Sequence, residues 1–243
     1  TTKAWGLSFL DVLAAKGVMS NSLFGGEFAG IYKGDRVMGL CNGGMKSHVA
    51  PTFVVKIPEA VSFLEAATLP VSYTTALFAL SRAGRMKPGC VVMIHNATGA
   101  LGMALIRVLT ERYPPCKILA TCSSGKASFE LEKIACNIVD SRNPSTWTES
   151  IPDQSVHVSI GAMHPILLSS VIPLMSSFGV IVDVGKRLQV ENTLLSLGPY
   201  TRGLTYTTAH LDELMRVDPP EVQTLLVEAA TFAPLPYRVF RIE

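Results

Sequence analysis

One stretch limits the fold more than any other. Val91-Val-Met-Ile-His95 is an apolar run, Asn96-Ala-Thr-Gly99-Ala-Leu-Gly102 a turn of small residues, and Met103-Ala-Leu-Ile-Arg-Val-Leu109 an amphipathic helical segment. Strand, tight turn and helix in that order bring backbone N–H groups and a positive helix end to one point, where a pyrophosphate can be held. The candidate cradle is Ala97, Thr98, Gly99, Ala100, Leu101 and Gly102. A helix that merely packs close to a sheet leaves the same glycine pattern, so spacing alone keeps both readings open.

The rest of the chain falls into two textures. Up to about residue 70, short β-branched segments alternate with glycine turns such as Gly25-Gly26 and Gly43-Gly44, which predicts a small irregular β domain. From Ser62 the pattern turns helical, and after Lys87-Pro-Gly strands and helices alternate. Strands are predicted at 91–95, 117–122, 137–140, 155–160, 179–184 and 204–209, and helices at 100–113, 126–135, 165–176 and 220–232. Parallel strands joined by crossover helices make an α/β, doubly wound sheet.

The second strand, Lys117-Ile-Leu-Ala-Thr-Cys122, decides which dinucleotide suits the cradle. An NAD-selective site ends that strand in a carboxylate for the ribose hydroxyls. Here Ser123, Ser124 and Lys126 follow, and Arg142 comes after the third strand. Hydroxyls and cations match a 2′-phosphate, which favours NADPH. The same residues also read as an ordinary helix start with Ser124 as its cap.

Composition removes several classes. The 243 residues are 48% hydrophobic and 16% charged, with a formal net charge of +2, enough for one large core or two modest ones. Lys and Arg are scattered, with no basic stripe for nucleic acid. The apolar stretches look too short to cross a bilayer, and no signal sequence is visible. Cys41, Cys90, Cys116, Cys122 and Cys136 are odd in number and spread out, as expected of reduced thiols in a cytoplasmic protein.

In order along the chain, Gly6-Leu-Ser-Phe-Leu-Asp-Val-Leu13, Gly25-Gly-Glu-Phe-Ala-Gly30, Gly34-Asp-Arg-Val-Met-Gly39, Ala66-Ala-Thr-Leu-Pro-Val-Ser-Tyr-Thr-Thr-Ala76, the Gly99/Gly102 turn, Asp140-Ser-Arg142 and Asp183-Val-Gly-Lys186 carry a resemblance. The chain resembles the enoyl reductase domain of animal-type fatty acid synthase and reducing polyketide synthases, in the zinc-free branch of the medium-chain dehydrogenase/reductase superfamily. The resemblance implies a Rossmann-type NADPH-binding domain over 71–232. It places an incomplete GroES-like substrate domain at 1–70, with a return at 233–243. It further implies a piece of a longer, homodimeric synthase, working beside other synthase domains on an enoyl thioester borne by acyl carrier protein.

It also assigns roles. Lys186 becomes the catalytic cation and Asp212 its partner, Gly185 borders the cofactor, and Tyr73, Thr74 and Thr75 line the nicotinamide side, with Thr75 offering its hydroxyl. Zinc relatives carry His-Glu where this chain has Gly26-Glu27, and no histidine has partners at ligand spacing, so no metal is expected. His95 reads as a packed residue. Four departures from the family leave a second expectation, an inactive domain kept as a scaffold. Ala100 replaces a second glycine, Gly161-Ala162-Met163 replaces Asn-Ser-Leu, the tyrosine of bacterial relatives is missing near Val18-Met19, and the segment from Thr146 to Gln154 between the third and fourth strands is shortened.

Overall fold

A computed structural model describes residues 1–17, 25–41, 45–48, 51–84, 86–113, 115–123, 129–135 and 137–240. Its elements run β1 (Thr2–Gly6), α1 (Phe9–Ala15), β2 (Glu27–Tyr32), β3 (Asp35–Leu40), β4 (Phe53–Lys56), α2 (Phe63–Ala66) and α3 (Pro70–Ala83). There follow β5 (Val91–Ile94), α4 (Ala100–Arg112), β6 (Lys117–Cys122), α5 (Phe129–Ile134), β7 (Asn137–Asp140), α6 (Trp147–Ser150), β8 (Val156–Gly161) and α7 (Pro165–Val171). Last come β9 (Met175–Asp183), α8 (Arg187–Val190), β10 (Thr205–Thr208), α9 (Leu211–Val217) and α10 (Pro219–Ala229). The chain divides into two compact units, one of Thr1–Thr74 with Leu211–Glu243 and the other Thr75–His210.

The first unit is built on an antiparallel sheet in the order β1-β2-β3-β4. Glycines let its strands lie close: a side chain at Gly39 would strike the Phe53 carbonyl. Helices α9 and α10 lay Leu211, Leu214, Val222 and Leu226 on Leu40 and Phe53. That packing brings the chain into the first unit at 211, where the sequence placed the return at 233. Short helices are set by their caps. Ser62 and Glu65 exchange backbone and side-chain hydrogen bonds of 2.8 and 3.2 Å at the start of α2.

The second unit is a parallel sheet in the order β10-β9-β8-β5-β6-β7. Counted from β5 this is the order 6-5-4-1-2-3 of a doubly wound dinucleotide fold, and its reversal point lies between β5 and β8. Covered on both faces, the strands read as apolar runs, and Val92, Met93 and Ile94 are fully buried. The core gathers Trp147, Ile151, Val171, Leu174 and Ile181.

Two expectations need correction. The helix expected over 165–176 ends at Val171, passes through a 3-10 turn containing Pro173, and gives way to β9 already at Met175. Proline has no N–H for the helical ladder and its ring crowds the preceding turn, so the helix stops there. The expectation that every apolar stretch is too short for a bilayer also fails. Phe63–Ala83, taken as one helical stretch, is long and apolar enough by length and composition, and 61% of its apolar 18-residue window is buried inside the fold.

Candidate functional site

The turn after β5 is held by its neighbours. His95 donates its amide to the Ile160 carbonyl at 2.9 Å, and Ala97 donates to the Thr121 carbonyl at 2.9 Å. The Asn96 amide reaches Thr121 Oγ1 at 3.2 Å while Asn96 itself adopts φ +52°, a left-handed conformation that asparagine tolerates. Gly99 then caps α4, and its amide closes the turn on the Asn96 carbonyl at 2.9 Å. A Cβ on Gly102 would come within 2.5 Å of the Asn96 carbonyl oxygen and 2.6 Å of Ala97 Cα, so the helix can reach this turn only with glycine there.

The consequence is an open donor set. Among the described residues the amides of Thr98, Ala100 and Leu101 meet no acceptor, and they lie at the positive end of the 13-residue helix α4. That is the chemistry of an anion cradle, and it fits the pyrophosphate of a dinucleotide. Ala97 is buried and holds the turn, Thr98 and Gly99 are half-buried, and the Ala100 methyl faces outward.

His95 is a packing residue. Its Nε2 lies 2.8 Å from Ser159 Oγ, and its ring stacks on Trp147 with centroids 5.7 Å apart. Burial, followed by the neighbouring His164, pushes the imidazole from 6.5 down to about 3, so it stays neutral.

The adenosine corner is less complete. Ser123 is half-buried after β6, and the exposed Arg142 follows β7. Pairing of Cys122 with Asp140 and a 2.8 Å bond from the Ser141 amide to the Cys122 carbonyl bring those two strand ends together. Trp147 Nε1 donates to the Asp140 carbonyl at 2.8 Å and braces the same corner. Ser124 and Lys126 lie outside the described residues, as do Cys136 and Val18-Met19.

At the ends of β8 and β9 a buried carboxylate, Asp183, gathers four donors. Oδ1 accepts the amides of Met163 (2.9 Å) and Gly185 (2.8 Å), and Oδ2 accepts Tyr206 Oη–H (2.7 Å) and Gln189 Nε2–H (3.5 Å). Lys186 follows directly and caps α8. The sequence reading assigned no role to Asp183 or Tyr206, and His210 entered only as one of the histidines without partners at ligand spacing. A carboxylate closing an apolar strand was the available signal, because a buried acid must find donors.

The remaining assigned residues divide between the units. Tyr73, in the first unit, is fully buried, stacked 4.8 Å from Phe232, with its hydroxyl donated to the Ala233 carbonyl at 2.8 Å. Thr74 is fully buried, and its Oγ1 has no partner among the described residues. Thr75 opens the second unit, half-buried. Asp212 lies in the first turn of α9, in the first unit, whereas Lys186 belongs to the second. Among the described residues no three His, Cys, Asp or Glu side chains converge as a metal ion requires. A surface hollow of about 170 Å³ lined by Leu109, Pro115 and Cys116 lies at the opposite, amino edge of the parallel sheet, remote from this chemistry.

No family model matches the chain. A highly reducing polyketide synthase of Aspergillus terreus is 30% identical over 253 residues, which cover 95% of this chain and 10% of that protein. Compactin diketide synthase mlcB of Penicillium citrinum is 30% identical over 248 residues, 92% of this chain and 10% of its own length. The chain thus spans about a tenth of the curated relatives it matches. Among solved structures, CurK enoyl reductase superposes with a TM-score of 0.84 at 25% identity, covering 98% of this chain and 82% of that one. A quinone oxidoreductase from Thermus thermophilus, also solved in complex with NADPH, gives 0.77 at 26% identity over 93% of this chain and 75% of its own.

Proposed function

We propose a function for a chain that belongs to the medium-chain dehydrogenase/reductase superfamily, among the enoyl reductase domains of polyketide synthases. It reduces the carbon–carbon double bond of an enoyl thioester carried on acyl carrier protein, uses NADPH, and works in the cytoplasm as one domain of a homodimeric synthase. The observation that carries this reading is the open donor set of Thr98, Ala100 and Leu101 at the start of α4, after β5, which pairs with β8 and lies two strands from β9, whose end leads to Lys186.

NADPH supplies a hydride to the β-carbon of the thioester when bound. The chain's own residues do the rest. The turn amides and the α4 end hold the pyrophosphate, with Gly102 permitting their approach. Ser123, Ser124, Lys126 and Arg142 are assigned to the 2′-phosphate by their donors and charge, and on the resemblance Thr74, Thr75 and Gly185 are assigned to the nicotinamide. Lys186 Nζ donates to the thioester oxygen as negative charge gathers there, an effect typically worth a few kcal/mol. A proton reaches the α-carbon from the same ammonium, and Asp212 enters as its partner on the resemblance alone.

The test is NADPH consumption with a crotonyl-pantetheine thioester. Turnover that saturates at micromolar NADPH supports the proposal. Arg142→Ala or Lys126→Ala then raises the NADPH requirement by about tenfold and leaves the NADH requirement nearly unchanged, as loss of a phosphate partner should. Equal effects on both cofactors remove the phosphate assignment.

One observation favours a second reading, a scaffold domain without catalysis. Ala162 and Met163, directly after β8, offer no side-chain donor, because the first carries only a methyl and the second is buried in the core with its amide bound to Asp183. Absence of NADPH binding at millimolar concentration selects that reading.

A further inference from the structure

The residue before Lys186 is pinned at both of its backbone groups. Gly185 donates its amide to Asp183 Oδ1 at 2.8 Å, and its carbonyl accepts from His210 Nε2 at 2.6 Å. There is little room for it to shift, since a Cβ there would lie 3.1 Å from the Ala162 Cβ and 3.2 Å from Asp183 Oδ1. Asp183 in turn is held from its far side by Tyr206, whose hydroxyl also accepts from Gln189 Nε2 at 2.9 Å. Burial, with Asp183 next, keeps the Tyr206 phenol protonated well above its usual range, so it remains a donor.

The strand end does not need this arrangement to form. Val184 already donates to the Gly161 carbonyl at 3.0 Å, and the Asp183 carbonyl already accepts from Ala209 at 2.9 Å, so β9 is paired on both sides up to its last residue. A fully buried carboxylate is costly to install, and an apolar side chain would serve a strand end at less cost. What the carboxylate adds is a fixed path for two loops, 162–163 after β8 and 184–186 after β9, at the carboxyl edge where doubly wound folds place their ligands.

We propose that Asp183, Tyr206 and His210 form a clamp of positioning residues that fixes the Gly185 peptide and thereby aims Lys186 at the reacting thioester. The clamp rests on the enoyl reductase reading given above. None of the three touches the substrate; they act through Gly185. Holding a donor to within a fraction of an ångström of its productive place is what makes it effective in the transition state, and loss of such support lowers kcat more than it weakens ground-state binding.

The experiment compares wild type, Tyr206→Phe, Asp183→Asn and Lys186→Ala, and each clamp variant combined with Lys186→Ala, on NADPH and crotonyl-pantetheine thioester. Tyr206→Phe removes one hydroxyl and is the variant least exposed to misfolding. The clamp predicts a kcat lowered by about tenfold with the NADPH KM moved by less than about twofold, and no further loss when Lys186 is already alanine. Losses that multiply in the double variant, or a KM change at constant kcat, overturn it. Hydrogen exchange at the Gly185 amide is followed on the same samples. Exchange in Tyr206→Phe no faster than in wild type overturns the clamp whether or not the wild type turns over. A wild type that binds NADPH and leaves the thioester unreduced removes the enoyl reductase reading, and the aiming role with it, while faster exchange still identifies the hydrogen-bonded support.

Discussion

Each unit buries one carboxyl at the end of a strand, and the two are treated differently. Glu27 opens β2 in the first unit and Asp183 closes β9 in the second, with 4% and 0% of their surface exposed. Glu27 receives one donor among the described residues, the Val71 amide at 2.8 Å near the start of α3, and has Asp11 as an acidic neighbour. Burial pushes its carboxyl from 4.5 up to about 8, against the lowering effect of that single hydrogen bond. Asp183 receives four donors from three segments of chain. Burial alone therefore does not define a polar hub; the number of donors does. In the first unit the carboxyl caps a helix, and in the second it ties together the loops beside the proposed site.

Removing the hub breaks the comparison hardest. Asp183→Ala leaves the Met163 and Gly185 amides and the Tyr206 hydroxyl without their acceptor, which should cost about 3–5 kcal/mol in urea denaturation at neutral pH. A loss below about 1 kcal/mol would mean that water replaces the carboxylate easily and that its four donors carry no special weight.

Glu27→Gln sharpens the other side. The amide oxygen can still accept from Val71, while the titration disappears. Because the folded value near 8 exceeds 4.5, the folded chain keeps a proton that the unfolded chain releases between these limits. Stability from this group is full below pH 4.5 and declines as pH rises toward 8. The variant should gain about 3 kcal/mol over wild type on going from pH 4 to pH 7. Parallel stability curves would show that Glu27 ionises in place without penalty.

His95 gives the opposite and smaller effect at moderate pH. Its folded value near 3 lies below 6.5, so its contribution is full above pH 6.5 and fades as pH falls toward 3. At pH 5 wild type should have lost about 2 kcal/mol that His95→Gln does not lose. Denaturation midpoints against pH for both proteins measure it, and identical slopes would contradict the buried neutral imidazole.

The second unit was more legible in sequence than the first, for a physical reason. Parallel strands buried on both faces leave uninterrupted apolar runs, so β5, β6 and β7 could be read nearly to the residue, and the Asn96–Gly102 turn announced its own backbone. Helices α1 and α9 were not foreseen, because at seven residues each they are set by tertiary packing and, for α1, a Ser8–Asp11 cap rather than by a long periodic pattern. β9 begins early because Pro173 ends the helix, a local rule that the apolar run Val171–Met175 concealed. The Gly185–Lys186 pair was visible as a motif. Its support was not, since Tyr206 meets Asp183 and His210 meets Gly185 across 23 and 25 residues of chain, and only the fold brings them together.

The account stands on the amides at the start of α4 holding a dinucleotide. An NMR titration of the chain with NADPH, following the backbone amides of Thr98, Ala100 and Leu101, reads this directly. Saturable shifts of those three at micromolar NADPH are the predicted result. Unmoved amides at millimolar NADPH, or shifts confined to other parts of the chain, would contradict it.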